Sequence, residues 1–306
     1  MIRNIYVAGS INMDIVATVA HLPHPGETIF GQDVHYIPGG KGSNQAVAAS
    51  RLGTNVYLVG KLGKDPFGQS LTKFLSNESL NLDFLFYSDS APTGIALINV
   101  DGRSENSIVV VSGSNFHLAP EDIDQLLLNE DDVVVSVFEI PQATIKHLFQ
   151  KARHAQSKTI LTPAPATNFI DGLLELVDYL ILNETELAFF SNQHQINHDS
   201  TSIWQSAKQL RQHADQTIIV TLGAKGVVCL EGEELIQIDG IQVDAVDTTG
   251  AGDCFAGAFA VAIAEQMPLH DALTFANTAA AISVQHLGAS TSMPTRQTVM
   301  TILGYD

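Results

Sequence analysis

Short runs of β-branched and aliphatic residues alternate with helical stretches along almost the whole chain, and that rhythm limits the possible folds most tightly. Residues 5–8, 55–59, 132–137, 159–161, 179–182 and 217–221 read as strands. Helices are expected over 42–52 and 66–76, and near 142–155, 184–190, 202–213, 251–265, 268–286 and 295–303. Strands that alternate with helices build a mainly parallel sheet with helices on both faces, an α/β fold. A length of 306 residues suits one large domain or about two ordinary ones.

Two segments break the rhythm. Residues 15–37 carry β-branched runs around Pro23, Pro25 and Gly26 but no helical pattern. Residues 93–111 read as a hairpin, with Asp101-Gly102 as the turn between two apolar runs. Together they form either a small β-sheet beside the main domain or two further strands of the main sheet.

Composition removes several partners. A formal net charge of -18 argues against nucleic acid and anionic membrane, both of which need basic patches. An anionic ligand must then be held by local backbone donors, a few lysines and metal ions. Cys229 and Cys254 are far apart and form no Cys-x-x-Cys, so neither a disulfide framework nor a zinc site is expected. The N-terminal residues show no signal-peptide pattern, and a cytoplasmic location is expected. The apolar runs fall short of the roughly 20 residues that span a bilayer.

The densest chemistry lies in Asp247-Thr248-Thr249-Gly250-Ala251-Gly252-Asp253, directly before the apolar run from Cys254. A helix starting here presents unpaired N–H groups and the positive end of its dipole, which favours an anion such as phosphate. Asp253 is either a cap for that helix or a base that takes a proton from a hydroxyl attacking a phosphoryl group.

A second cluster is Gly39-Gly40-Lys41-Gly42-Ser43-Asn44-Gln45. Its backbone can approach a ligand closely, Lys41 adds charge, and Asn44 can donate and accept hydrogen bonds. A plain Gly-rich turn is the alternative. The spacing is not that of a Walker A loop, and Gly9-Ser10-Ile11-Asn12 lacks the Rossmann fingerprint, which disfavours a dinucleotide-dependent dehydrogenase. Asn12 and Asp14, two residues apart after the first strand, point the same way if the strand continues, and an amide with a carboxylate suits paired hydroxyls. Asn183-Glu184-Thr185-Glu186 follows a strand and reads as a ligand contact or a capping box. The turn from Thr221 to Gly226 could bind phosphate through its N–H groups or be only a turn. Glu139 either faces the site or is solvated. His21, His24 and His35 read as surface residues, and Trp204 as packing.

In this order, the clusters resemble the ribokinase-like carbohydrate kinases over nearly the whole chain. Residues 39–46 and 162–166 are most similar to the ribose-phosphorylating members. The resemblance implies a ribokinase-like fold, with 1–14, 38–92 and 112–306 as the α/β unit and 15–37 with 93–111 as a β-sheet lid. It implies transfer of a phosphoryl group from ATP to D-ribose, with Mg2+ and K+ as cofactors. Asn12, Asp14, Gly40, Lys41, Asn44 and Glu139 would bind the sugar. Asp253 would be the base, and the N–H groups of Gly250, Ala251, Gly252 and Asp253 the anion hole. Asn183 and Glu186 would lie near the phosphates and magnesium. Thr221, Gly223, Lys225, Gly226, Gly252 and Asn277 would line the nucleotide site. Asp247, Thr249, Ser283, His286, Gly288 and Ser292 match potassium-binding positions, several through main-chain carbonyls. The implied partners are sugar, ATP and a second copy paired through the lids.

One inference comes from the residues alone. Residues 15–37 hold no Lys or Arg, and 93–111 hold only Arg103. A phosphorylated sugar would need cations from the lid. The expected acceptor is therefore neutral: ribose, with deoxyribose, another neutral sugar or a nucleoside as the alternatives. A sugar-binding regulator without catalysis is the alternative from another class, and the intact Asp253 cluster argues against it.

Overall fold

Each strand at the centre of the main sheet is apolar on both faces, and this makes the molecule layered. In β1 (Asn4–Ala8), Ile5 and Val7 enter one core, while Tyr6 and Ala8 enter the other. The computed structural model describes residues 3–53, 55–103, 105–193, 196 and 200–305. Residues 1, 2, 54, 194, 195, 197–199 and 306 of the expected α/β unit, and Ser104 of the expected lid, lie outside the described residues.

The remaining strands are β2 Asn12–Val19, β3 Gly31–Gly39, β4 Asn55–Gly63, β5 Leu85–Ser88, β6 Gly94–Val100, β7 Asn106–Val111, β8 Val133–Val137, β9 Lys158–Thr162, β10 Tyr179–Asn183, β11 Thr217–Thr221, β12 Gly226–Glu231 and β13 Glu234–Asp239. The helices are α1 Lys41–Leu52, α2 Pro66–Leu75, α3 Pro120–Ile123, α4 Gln142–Ala155, α5 Glu184–Phe190, α6 Ser200–Leu210, α7 Ala251–Ala264, α8 Leu269–Ser283 and α9 Arg296–Ile302. Among the described residues the main sheet has nine strands, in the order β13-β12-β11-β10-β9-β8-β1-β4-β5. It is parallel from β5 to β11; β12 and β13 run antiparallel at one edge. Helices α1, α2, α7, α8 and α9 cover one face, and α3 to α6 the other. The strand–helix alternation thus forms the expected sheet. The edge hairpin β12–β13 is an element that the alternation did not announce.

The two irregular segments build a separate four-stranded sheet, in the order β3-β2-β6-β7. Its outer pairs are antiparallel, and the central β2–β6 pair is parallel. The hairpin is present, but its turn is not the tight Asp-Gly one. Val100 pairs with Asn106, and the Asp101 carboxylate closes the longer loop by accepting from the N–H groups of Arg103 (2.8 Å) and Glu105 (3.1 Å). Helix α6 also stops early, at Leu210, because the Gln216 side chain takes the N–H of Gln212 at 2.8 Å.

Candidate active site

Two long helices begin on left-handed glycines at the carboxyl ends of the central strands, where ligands gather in open α/β sheets. Gly40 precedes α1 at φ 93°, and Gly250 precedes α7 at φ 77°. Glycine adopts such angles without the steric penalty of a side chain. Neither helix start has a side-chain cap.

Asp253 is therefore not the cap of α7. It lies in the first turn, 5% exposed, and its carboxylate is held by side chains of α1. Asn44 Nδ2 donates to Oδ2 at 2.9 Å, and Gln45 Nε2 donates to Oδ1 at 3.1 Å. Asn44 is itself fixed by Ser290 Oγ, which donates to Asn44 Oδ1 at 2.5 Å. Beside this carboxylate, the N–H groups of Gly250, Gly252 and Asp253 have no protein acceptor among the described residues. The N–H of Ala251, expected in the same anion hole, instead donates to Thr248 O at 3.3 Å.

Carboxylates crowd around one cation here. Glu139, which follows β8, accepts from Ser10 Oγ and from the N–H of Lys41 at 3.3 Å. It faces the site and is not a solvated surface residue. Asp253 is the main influence raising the Lys41 pKa; burial opposes it, and Glu139, Glu186 and Asp14 add to it. Burial, then the charges of Glu139 and Asp253, push the Asp14 carboxyl up to about 7 against the pull of Lys41. Burial also raises Glu139 and Glu186, with Lys41 opposing in both. Asn12 is buried on β2, and its Oδ1 accepts from Asn115 Nδ2 at 2.7 Å. Asn115 Oδ1 also accepts from the N–H of Ile11 at 2.9 Å, so it ties the start of the small sheet to the main domain.

A cavity of about 440 Å³ lies on the other side of the α7 N-terminus, a size within the range of small-molecule sites. Asn183, Thr221, Gly223, Gly226, Gly252 and Asn277 line it. Asn183 and Glu186 form a reciprocal capping box on α5, at 2.8 and 2.9 Å, so the capping reading of that motif holds and Asn183 still faces the cavity. Lys225 is exposed and does not line the cavity; its carbonyl accepts from Gly240 N at 3.1 Å.

The positions expected to hold potassium lie on two segments, 247–249 and 283–292, that hydrogen bonds join. Both Val246 and Asp247 donate their N–H to Val284 O, at 2.7 and 3.1 Å. Asp247 Oδ1 accepts from the backbone and hydroxyl of Thr249, and Oδ2 accepts from Gly288 N at 2.9 Å. Burial would raise the Asp247 carboxyl, but these hydrogen bonds outweigh it and hold it below its ordinary value. Ser283 and Ser292 are buried nearby, and His286 N–H donates to Ser283 O at 3.2 Å. The donors here are one carboxylate, hydroxyls and carbonyls. An all-oxygen set of this kind fits a hard cation and contains no thiolate or imidazole cluster.

Residues 2–296 match the pfkB family carbohydrate kinase model. This chain belongs to that family. Among its relatives is the ribokinase of Haemophilus influenzae, 38% identical over 99% of both chains. The ribokinase of Bacillus subtilis is 36% identical over 98% of this chain and 99% of its own. Among solved structures, Arabidopsis thaliana ribokinase, complexed with ribose and ATP, superposes with a TM-score of 0.89 at 32% identity over the full length of both chains. This family member therefore has the expected fold. No helix among the described residues is long and apolar enough to cross a membrane.

Within this carbohydrate kinase, Ser10, Asn115 and Ser290 are site residues that the motifs did not point to, and Gln45, although inside the second cluster, had no expected role. Ser10 lies two residues before Asn12, and for Gln45 a lone glutamine heading the apolar stretch 46–49 was the available signal. Asn115 sits in a short 3-10 turn, 113–117, with no motif around it.

Proposed function

We propose that this kinase transfers the γ-phosphoryl group of ATP to the terminal hydroxyl of ribose, giving ribose 5-phosphate and ADP. One observation carries the reading: a buried carboxylate, Asp253, clamped beside free backbone N–H groups, between a nucleotide-sized cavity and a cluster of polar sugar-type ligands. Asp253 takes the hydroxyl proton as the oxygen attacks phosphorus. The N–H groups of Gly250, Gly252 and Asp253 stabilise the charge on the transferring group; one such donor is worth about 3 kcal/mol. Asn12, Asp14, Lys41, Asn44 and Glu139 bind the sugar, and the small sheet acts as the lid that excludes water. The full-length ribokinase relatives support ribose as the acceptor. A neutral acceptor also fits Arg103, which is exposed and pairs with Asp101 and Glu105 in its own loop.

Glu186 and Asn183 suit magnesium, which takes one or two carboxylates together with phosphates and water. When bound, it would neutralise charge on the phosphates. Asp247, Thr249, Ser283, His286, Gly288 and Ser292 would hold potassium, which would brace the loop leading into Gly250. The lid leaves Tyr36, Leu97, Val109 and Val111 41–59% exposed on one face, which supports a homodimer through that sheet. Both cysteines are free and buried, as in a reducing cytoplasm.

The test is a coupled ADP-release assay with magnesium-ATP over ribose, deoxyribose, fructose, fructose 6-phosphate, adenosine and uridine, each with and without potassium. Ribose is expected to dominate and potassium to stimulate; turnover of fructose 6-phosphate above that of ribose overturns the neutral-acceptor reading. Asp253→Asn should lower kcat by about 10²–10⁴-fold while sugar and nucleotide still bind. Parallel loss of binding would make Asp253 a structural residue.

A further inference from the structure

Gln45 has no exposed surface and cannot touch a sugar, yet it reaches the carboxylate assigned as base. Its Nε2 donates to Asp253 Oδ1 at 3.1 Å and to Thr162 Oγ1 at 3.4 Å. Its Oε1 is buried without a hydrogen-bond partner. Leaving an acceptor unpaired in the core lowers stability. Turning the amide over would set Oε1 against the Asp253 carboxylate, acceptor against acceptor, so the donor must face Asp253. A methionine would fill the same space with no orphan acceptor. Packing alone therefore gives no reason for a glutamine at this position.

The neighbouring helix is shaped to permit the contact. A Cβ on Gly257 of α7 would stand 2.5 Å from Gln45 O and 2.8 Å from Ala48 Cβ. The helices thus approach closely at that glycine, one turn beyond Asp253 on the same face of α7.

We propose that Gln45 is a positioning residue for Asp253, completing an amide clamp in which Asn44 and Gln45 each hold one carboxylate oxygen. Each oxygen keeps a second lone pair for the incoming hydroxyl proton. The two amides are not equivalent. Asn44 is also a proposed sugar ligand, whereas the shorter contact of the fully buried Gln45 goes to the carboxylate and its other, at 3.4 Å, to Thr162. The inference rests on Asp253 being the base.

The test compares Gln45→Met with the parent and Asp253→Asn in the full chain. For Gln45→Met, Tm should hold or rise, and KM for ribose and for ATP should stay within about threefold. kcat should fall about 10- to 100-fold, the penalty for a misaligned reacting group. The acid limb of the kcat–pH profile should move to higher pH, because the charged carboxylate loses a donor. The charged groups facing Asp253, namely Lys41, Asp14, Glu139 and Glu186, are unchanged in the variant, so the movement reports Gln45. Gln45→Glu, which preserves the volume, should move the limb further still. Parental kcat with an unmoved limb in both variants overturns the clamp, as does a loss confined to ribose KM. If Asp253→Asn retains parental turnover, the base assignment falls and the clamp with it; an inactive Asp253→Asn beside a fully active Gln45→Met removes the clamp alone.

Discussion

Helices α1 and α7 start in the same way and are used in opposite ways. Each follows a glycine at positive φ, lacks a side-chain cap and carries a glycine in its first turn. In α1 the first donors are consumed inside the protein: Lys41 N–H goes to Glu139, Gly42 N–H is directed at Ser10 Oγ, and Ser43 N–H goes to Ser10 O. In α7 the N–H groups of Gly250, Gly252 and Asp253 have no acceptor in the described protein. One helix start is a structural joint closed by protein acceptors, and the other is left open, as the proposed anion hole requires. A glycine-rich helix start does not by itself say which it will be; the polar residues opposite its first turn decide. Glu139 and Ser10 face α1, whereas the cavity faces α7.

The two helix starts should respond most differently when their glycines are exchanged for alanine. Gly250→Ala strains φ 77° and drives a Cβ to 2.9 Å from Ala289 Cβ, which displaces the open donors. The expected result is a fall in kcat of about 100-fold with ribose KM little changed. Gly40→Ala strains φ 93° and puts a Cβ 2.7 Å from Asn12 N and 2.8 Å from Ser10 O. Here ribose KM should rise about tenfold and Tm should fall by several degrees, at roughly 1–3 kcal/mol for the strain. Steady-state kinetics with thermal melts decide the matter. The opposite assignment of the effects, KM for Gly250 and kcat for Gly40, would reverse the reading of the two helices.

Lys41 couples the two helix starts, because it belongs to α1 but its pKa is raised chiefly by Asp253 of α7. Lys41→Ala should raise ribose KM about tenfold and ATP KM by much less, since the proposed sugar site would lose its cation and leave the carboxylates uncompensated. A larger effect on ATP would move Lys41 to the phosphate side.

The residues readable from the sequence were those whose backbone chemistry is local. Gly250 and Gly252 before an apolar helix, Asn183 and Glu186 at capping-box spacing, and β-rich runs between helices all carry their physics within a few residues. What stayed hidden depends on distant partners. Gln45 matters because α7 passes beside it, more than 200 residues later in the chain. Asn115 matters because Ile11 and Asn12, more than 100 residues earlier in the chain, pack against it. The longer loop at Asp101 was missed for a different reason: a carboxylate accepting two backbone N–H groups replaced the tight turn that an Asp-Gly pair suggests. Lys225 was placed at the nucleotide by its motif, yet its side chain is exposed outside the cavity, a direction that the motif does not encode.

The smallest expected effect is a titration on the α1 side of the site. Asp14 ionises at about 7 because burial and the neighbouring carboxylates disfavour its charge. In the proposed sugar site the ionised form would accept hydrogen bonds from sugar hydroxyls, and protonation would remove an acceptor. Ribose KM should therefore rise about fivefold as pH falls from about 8 to about 6, and Asp14→Asn should flatten that rise, with ATP KM serving as the control. Stability should move in the opposite sense. The native state resists ionising Asp14, whereas the unfolded chain ionises it in the ordinary carboxylate range. The protein thus loses stability as pH climbs from that range through 7, and Asp14→Asn should melt higher than the parent above pH 7 while binding ribose less well. If the variant melted lower there, Asp14 would be a stabilising contact and not a carboxylate held against its charge.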